Sequence, residues 1–156
     1  MKKLLATFLI SSATAAFSTG TDLYVGISGG AAWNNQLTPG LAFRGNGGYN
    51  FNQYVAFELG MLGVASNNAG PNQSKLLYFD ASVKGTLPLG DLFSAFLQFG
   101  GAYANAGIGA NFMTGLGIQA NITRQVAINL TDIYYYGGQS TQGNNNVLLL
   151  GVQYAF

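Results

Sequence analysis

Apolar and more polar side chains alternate along most of the chain after its first twenty residues. At the C-terminus, positions 148, 150, 152, 154 and 156 are all apolar, and the residues between them become small or polar toward the end. A period of two is the repeat of a β-strand, whose side chains point to opposite faces. The same alternation recurs in 23–31, 41–51, 55–63, 77–87, 93–103, 112–122 and 126–136. The sequence therefore predicts eight strands of roughly 9–13 residues, the length of tilted strands that cross a membrane.

The connections between these predicted strands alternate in length. Residues 52–54, 88–92 and 123–125 are short connections, whereas 33–39, 64–74, 104–111 and 137–146 are longer and rich in Gly, Asn and Gln. Short turns at one end and longer loops at the other are typical of transmembrane barrels. With eight strands, both termini are expected at the end that carries the short turns.

Composition separates the two kinds of eight-stranded barrel that fit this pattern. Charged residues make up 7% of the chain and hydrophobic residues 49%, whereas soluble domains usually carry about 25% charged residues. A soluble lipocalin-like barrel would turn the larger apolar set inward, where its Leu, Phe and Tyr side chains would overfill the lumen. If that set faces lipid, the inner set is mainly Gly, Ser, Asn, Gln and a few charges, and closure leaves no strand edge unpaired. The prediction is an all-β fold, an eight-stranded antiparallel up-and-down transmembrane β-barrel.

Four charged residues fall on the polar faces of the second, third and fourth predicted strands: Arg44, Glu58, Asp80 and Lys84. We expect all four to point into the lumen, where their formal charges sum to zero. Their distances from the short turns predict a pair between Glu58 and Lys84. Arg44 and Asp80 are expected to meet over Gly60, whose missing side chain leaves room. Such a network would plug the lumen and fix strand register; the alternative is a gate that opens a small pore by exchanging partners.

Asp132 is the one charged residue on an apolar strand face. Either it lies at the headgroup rim of the membrane, or a β-bulge shifts the phase of the seventh strand. The rim is the preferred interpretation, because Tyr134 and Tyr136 follow Asp132 toward the loop.

Aromatic residues concentrate at both ends of the predicted strands, as the interface girdles of membrane barrels do. Near the short turns lie Tyr49, Phe51, Tyr54, Phe93, Tyr154 and Phe156, and near the longer loops lie Trp33, Tyr103, Phe112, Tyr134 and Tyr136. Strand propensity would explain each aromatic residue alone. Their two-ended distribution favours two membrane interfaces.

The N-terminus has the order of a secretory signal peptide. Lys2 and Lys3 precede an apolar run over 4–10 and a small-residue stretch over 11–18, and that run is too short to span a membrane. Cleavage is expected between Ala15 and Ser18, which leaves 19–156 as one barrel domain. Because an exported chain inserts from the periplasm, both termini and the short turns are expected to be periplasmic.

Several segments together carry a family resemblance: 23–30, 48–52, 83–89 and the alternating apolar residues that end at Phe156. Over its mature length the chain resembles the small eight-stranded OmpA-like or OmpX-like outer-membrane β-barrels of Gram-negative bacteria. The resemblance implies that Leu150, Val152, Tyr154 and Phe156 form the assembly signal that the barrel-assembly machinery reads. It also implies an integral protein of the bacterial outer membrane, in contact with its lipid and lipopolysaccharide and escorted by periplasmic chaperones during biogenesis.

Few residues of this chain are candidates for catalysis or for binding a cofactor. The chain has no His and no Cys, which removes the usual base for a Ser nucleophile, the commonest metal ligand and any thiolate site. Glu58 and Asp80 could form a carboxylate pair for hydrolysis, but neutralisation by Lys84 and Arg44 is the simpler interpretation. A formal net charge of +1 gives no basis for nucleic-acid binding. We therefore expect no enzyme, no cofactor and no metal ion.

A structural or interaction role in the outer membrane is the function that this sequence favours. The alternative is a narrow pore or transport protein for small molecules, although eight strands leave a lumen about filled by side chains. An adhesin role is less favoured, because the predicted loops are nearly uncharged, with only Lys75 at a loop edge. The chain is expected to be a monomer.

Overall fold

Eight strands hold most of the residues that the computed structural model describes, namely 22–34, 37–66, 76–104, 109–137 and 144–156. The strands are β1 Leu23–Asn34, β2 Leu37–Asn50, β3 Val55–Ser66, β4 Leu76–Pro88, β5 Phe93–Ala104, β6 Gly109–Asn121, β7 Val126–Tyr136 and β8 Asn145–Ala155. The predicted signal peptide and Lys75 lie outside the described residues. Within the described ranges, no helix is both long and apolar enough to cross a membrane.

The strands close into one barrel in chain order. Each strand pairs antiparallel with the next, and β8 pairs antiparallel with β1, so the topology is up-and-down without crossovers. Closure gives every strand a hydrogen-bonding neighbour on both sides, which a sheet surrounded by hydrocarbon requires. The predicted fold class is confirmed.

Three short turns join β2 to β3, β4 to β5 and β6 to β7 at one end of the barrel, which we name the short-turn end. Asn52 Oδ1 stabilises the first turn by accepting hydrogen bonds from the N–H groups of Tyr54 and Val55 at 2.8 and 2.9 Å. Thr123 Oγ1 accepts comparable bonds in the third turn. Side-chain oxygens of this kind satisfy backbone donors that a tight connection leaves free. The opposite end is named the loop end.

The strands continue further toward the loop end than the alternation predicts. β1 reaches Asn34 and β2 begins at Leu37, so only residues 35–36 separate them, and the predicted long loop at 33–39 is wrong. The β1–β2 ladder shifts register between Ala32 and Asn34. Hydropathy alternates only where one strand face meets lipid and the other meets the core. Backbone pairing extends past that band, so the Gly- and Asn-rich strand ends carry no periodic signal.

The tilt of the strands follows from the ladder around the barrel. Each outward-facing residue can be followed to its pairing partner on the next strand, all the way around the barrel. Such a row starts on β3 at Val55 and returns to β3 at Ala65, ten residues nearer the loop end. In order, the row passes through Gly85, Leu97, Leu116, Asp132, Leu148, Ala31 and Leu41. This stagger in eight strands corresponds to a tilt of roughly 40°. The row therefore climbs about 25 Å, the height of the apolar band of membrane barrels.

Asp132 occupies the middle of this row, four strand pairings from Val55 and four from Ala65. It therefore lies about 12 Å above the start of the row, halfway up the apolar band. β7 pairs with β6 and β8 without a register shift, and Asp132 shares the outward face with the exposed Ile128 and Leu130. Both predicted explanations for Asp132, the rim and the bulge, are wrong.

Close approach of neighbouring backbones explains one of the inward-facing glycines. A Cβ atom on Gly100 would overlap the backbone oxygen of Ala81 on β4, as well as Ser82. Gly45, which faces outward on β2, has no atom within 4 Å of the corresponding position. Gly100 therefore permits the tight packing of β4 on β5, whereas the Gly45 position can accept a side chain.

We predict that Gly100→Ala destabilises the barrel by about 1–3 kcal/mol, because the backbone of β4 cannot move aside cheaply. Gly45→Ala is the matched control and should be neutral or stabilising by about 0.5 kcal/mol, since Ala restricts the unfolded chain more than Gly does. Equilibrium urea unfolding in lipid vesicles measures both effects. Equal free energies of unfolding for the two variants would contradict the proposed close approach.

Candidate functional site in the lumen

The lumen is held together at mid-height by one arginine that bridges two carboxylates. Arg44 Nη1 donates to Glu58 Oε1 at 2.9 Å, and Arg44 Nη2 donates to Asp80 Oδ1 at 2.7 Å. All three side chains are buried. The planar guanidinium fork has enough donors to serve two acceptors at once, which a lysine ammonium does less rigidly. The bridge connects β2 to β3 and, across β3, to β4.

Gly60 makes this bridge possible. A Cβ atom at Gly60 would lie 2.5 Å from both Arg44 Nη2 and Asp80 Oδ1. The predicted meeting of Arg44 and Asp80 over Gly60 is therefore the arrangement that the structure has. A β-strand rarely benefits from an internal glycine, and here the benefit is the space that the ion pair fills.

Lys84 is buried with the other three charges, but it is not part of the bridge. Glu58 lies opposite Ser82 in the β3–β4 ladder, so Lys84 is its diagonal neighbour. The predicted direct pair between Glu58 and Lys84 is wrong, because the Glu58 carboxylate is held by Arg44, Tyr24 and Gln98. Lys84 Nζ instead lies 3.4 Å from Gln119 Oε1. It also stands over the ring of Phe96, 4.2 Å from the ring centroid, where a cation is favoured by the negative face of the aromatic system.

Hydrogen bonds extend the bridge toward both ends of the lumen. Glu58 accepts from Tyr24 Oη at 2.9 Å on the short-turn side and from Gln98 Nε2 at 3.0 Å. Asp80 accepts from Tyr135 Oη at 3.1 Å. The Tyr135 ring stacks on Tyr78 with centroids 4.5 Å apart, and Asn145 Nδ2 donates to Tyr78 Oη. Because these groups come from strands on opposite walls, the network braces the barrel across its diameter.

The alternation of the sequence does not single out these tyrosines or Gln98 as network members. Each stands at an inward position of its strand, so strand phase alone would have placed it in the lumen. The hydrogen-bond partner of each of these residues could not be predicted, because a contact across the barrel depends on strand tilt and on the stagger of the ladder.

Apolar side chains predominate in the part of the lumen nearer the loop end. Its buried side chains form one cluster, which we name the apolar cap: Ala32, Ala42, Leu62, Tyr78, Ala102, Ala104, Met113, Ile133, Tyr135, Val147 and Leu149. In β8 the inward residues change from Val147 and Leu149 to Gly151 and Gln153 toward the short-turn end. The predicted inner set of small and polar residues is therefore wrong for this half of the barrel, where the lumen packs like an ordinary protein core.

The other predicted site residues lie on the outer face. The predicted assembly-signal residues Leu150, Val152, Tyr154 and Phe156 are exposed along β8 and its end. The N–H of Phe156 donates to the backbone oxygen of Leu23 at 3.1 Å. Most of the predicted girdle aromatics are exposed: Trp33, Tyr49, Phe51, Phe93, Tyr103, Phe112 and Tyr136. Tyr54 and Tyr134 are partly covered. Strand position places these aromatic residues near the two ends of the barrel.

The lumen offers little for catalysis or metal binding. Glu58 and Asp80 both hold the same guanidinium group, so neither carboxylate is free to act as a nucleophile or base. Among the residues that the structure describes, no three His, Cys, Asp or Glu side chains are grouped to hold a metal ion. The chemistry of this site is mutual neutralisation of buried charge.

We predict that Arg44→Met destabilises the barrel by about 3–5 kcal/mol, because it leaves Glu58 and Asp80 buried without their counter-charge. Lys84→Met is the matched control, since it removes a buried cation that has no direct ion pair, and its cost should stay below about 1 kcal/mol. The free energies of unfolding in urea, measured in lipid vesicles, give the comparison. A larger loss for Lys84→Met than for Arg44→Met would refute the bridge as the main electrostatic contact.

Comparisons with known proteins agree with this geometry. A comparison with curated protein sequences found no match. Among solved structures, Neisserial surface protein A (NspA) is similar with a TM-score of 0.67 and 18% identity, covering 89% of this chain and 100% of that one. The N-terminal β-barrel domain of Pseudomonas aeruginosa OprF has a TM-score of 0.65 and 14% identity, covering 88% and 100%. The outer membrane enzyme PagL has a TM-score of 0.65 and 13% identity, covering 85% and 99%.

Identities this low establish a shared fold and nothing of shared activity. The sequence itself matches the model of the outer membrane protein beta-barrel domain over residues 4–156. That match spans all eight strands and the lumen network. The chain therefore belongs to the outer membrane protein β-barrel domain family, whose members reside in the outer membrane of Gram-negative bacteria.

Proposed function

We propose that this protein is a non-enzymatic structural or interaction protein of the outer membrane. The observation that carries the proposal is the double closure of the lumen, by the Arg44 bridge at mid-height and by the apolar cap above it. A hydrated ion cannot cross a dry, close-packed layer without losing its water shell. A barrel closed in this way serves the membrane through its outer face and its ends.

The absence of His supports the non-enzymatic assignment, even though PagL shows that this fold can carry an enzyme. A Ser hydroxyl needs a neighbouring base to become a nucleophile, and the imidazole that usually supplies it is missing from the whole sequence. The carboxylates Glu58 and Asp80 are engaged by Arg44 inside the barrel, away from any lipid substrate at the outer surface.

The proposed orientation puts the short-turn end in the periplasm and the loop end at the cell surface. Both described termini lie at the short-turn end, since β1 begins and β8 ends there. A chain delivered by a cleavable signal peptide keeps its termini on the side of entry most easily, because only the loops then cross the bilayer. The exposed Leu, Ile, Val and Phe side chains between the two aromatic girdles would contact lipid and lipopolysaccharide.

A narrow water path is the second candidate, and one observation favours it. Arg44 Nε, Ser82 Oγ, Gln98 Oε1 and Gln153 Oε1 are buried in the short-turn half or at mid-height of the lumen without a hydrogen-bond partner among the described residues. Such groups are the usual ligands of buried water. Water could enter this half from the periplasmic side, and conduction would then require the bridge and the apolar cap to open together.

Planar-bilayer recording separates these two functions. We predict no steady conductance for the wild type and none for Glu58→Gln, although that variant should be less stable because Arg44 and Tyr24 lose the charge of their shared acceptor. Asp91→Asn, at an exposed short turn, is the control that should change neither property. Raised conductance in Glu58→Gln would support a gate and contradict a permanently closed lumen.

A second prediction concerns the role of Phe156 in assembly. Deletion of Phe156 should reduce the amount of folded barrel in the outer membrane, while export to the periplasm continues. Phe93→Ala removes another exposed aromatic near the same end and should have little effect on assembly. Folded protein is measured in membrane fractions by its faster migration on unheated SDS gels. Unchanged levels after the deletion would show that Phe156 is an ordinary girdle residue.

A further inference from the structure

Asp132 is an acidic residue in an otherwise apolar part of the lipid-facing surface. Its side chain points outward among Leu116, Leu130 and Leu148, which are neighbours on the same face and are exposed. Its Oδ1 atom is covered by the surrounding protein without a hydrogen-bond partner. Within the described residues, the carboxyl group therefore makes no contact that would satisfy it.

The depth of Asp132 determines what could satisfy it. The residue lies halfway along a row that climbs the whole apolar band, about 12 Å from either end. Lipid headgroups and interfacial water lie beyond the two aromatic girdles, out of reach of a side chain as short as Asp. An unpaired ionised carboxylate at this depth is strongly unfavourable, and ionisable residues within a membrane mark functional contacts more often than accidents.

Other polar residues accompany Asp132 on the same side of the barrel. On the outward faces of the described strands, the polar side chains that are not aromatic are Thr114, Asp132 and Asn146, on the adjacent strands β6, β7 and β8. Tyr134 lies between Thr114 and Asn146 in the ladder, and Asn146 Oδ1 also has no hydrogen-bond partner. We name these four residues the polar patch. Among the side chains that the structure describes, the remaining strands present only apolar and aromatic residues outward, so the polar patch breaks the symmetry of the surface.

We propose that the polar patch is the contact surface for a second copy of this chain, with Asp132 of one copy hydrogen-bonded to Asp132 of the other. Two copies in the same membrane share one orientation, so a two-fold axis along the membrane normal brings the same residue to the same depth. A neutral carboxylic acid both donates and accepts a hydrogen bond, so two such groups satisfy each other. Rotation about the Asp132 Cβ–Cγ bond, which is soft, turns either oxygen outward.

Asp132 lies beside an apolar groove that side chains of a protein partner can fill. This outward-facing groove of about 920 Å³ has Leu116, Leu130, Leu148 and Phe99 among its walls. A two-fold axis at β7 sets β6 of one copy against β8 of the other. Thr114, Tyr134 and Asn146 then bring hydroxyl and amide donors into the same interface. Apolar side chains of the second copy would fill the groove, and hydrogen bonds across a membrane interface would add to that packing.

This proposal replaces the expectation of a monomer, and it depends on the membrane location but not on whether the lumen conducts. The chain has no Cys, so one introduced thiol reports a single position. Leu130→Cys places a thiol beside Asp132, and Leu59→Cys places one on β3, four strands away and at similar depth; both leucines are exposed. Purified full-length mature protein is reconstituted in phospholipid vesicles and oxidised with copper phenanthroline.

We expect Leu130→Cys to form a covalent dimer and Leu59→Cys to stay monomeric. In the Leu130→Cys background, Asp132→Leu should lower the dimer yield about tenfold, the effect of losing paired hydrogen bonds in a membrane. Asp132→Asn should retain most of the yield, because an amide also donates and accepts. Unheated gel migration checks that every variant is folded.

Equal cross-linking at positions 130 and 59 would reveal random collision and overturn the proposal. An Asp132→Leu variant that cross-links as well as its parent would overturn it too. A protein that stays monomeric at every protein-to-lipid ratio would mean that the polar patch does not serve a second copy.

Discussion

The barrel depends on the ability of one guanidinium group to neutralise two carboxylates in a closed space. Arg44, Glu58 and Asp80 are buried together at mid-height, where an unpaired charge would cost several kcal/mol. Each ion pair ties particular residues of different strands together and so favours one register of the ladder. The missing side chain at Gly60 gives this bridge its space, and hydrogen bonds from Tyr24, Gln98 and Tyr135 complete the coordination of its two carboxylates.

The two halves of the lumen are filled by different kinds of side chain, apolar toward the loop end and polar toward the short-turn end. Toward the loop end, Leu62, Met113, Ile133 and Leu149 fill the interior by shape and need no partners. Toward the short-turn end, polar side chains fill it by hydrogen bonding, and several keep unused capacity. The first half excludes water, whereas the second half can accept it. The two halves together fill the described lumen without making it uniformly apolar.

Much of the architecture could be predicted from the sequence because lipid imposes a strict alternation on strand faces. Strand number, the short turns and the inward placement of Arg44 and Lys84 all follow from that period. The partner of Lys84 did not follow, because it depends on the stagger of the ladder, which no single strand records. The depth of Asp132 was misjudged for the same reason, since the tyrosines that follow it on β7 do not record how far a tilted strand has climbed. The apolar cap was overlooked because both faces of a strand are apolar there, which conceals the period.

Chain order gives the charge bridge a consequence for how the barrel forms. Seven of the eight ladders join strands that are neighbours in sequence, and only β1–β8 joins distant ends. Bringing those ends together carries the largest loop-closure entropy, so the seam between β1 and β8 is the costliest contact to make early. Arg44, Glu58, Asp80 and Lys84 all lie on β2, β3 and β4, so the first half of the sheet can cancel its own charge before the seam exists. A sheet that is still open between β1 and β8 would therefore carry no net charge from these four residues on its concave face. Arg44, Glu58 and Asp80 would already be paired with one another, so they would need less water around them at the bilayer before the last strand closes the barrel.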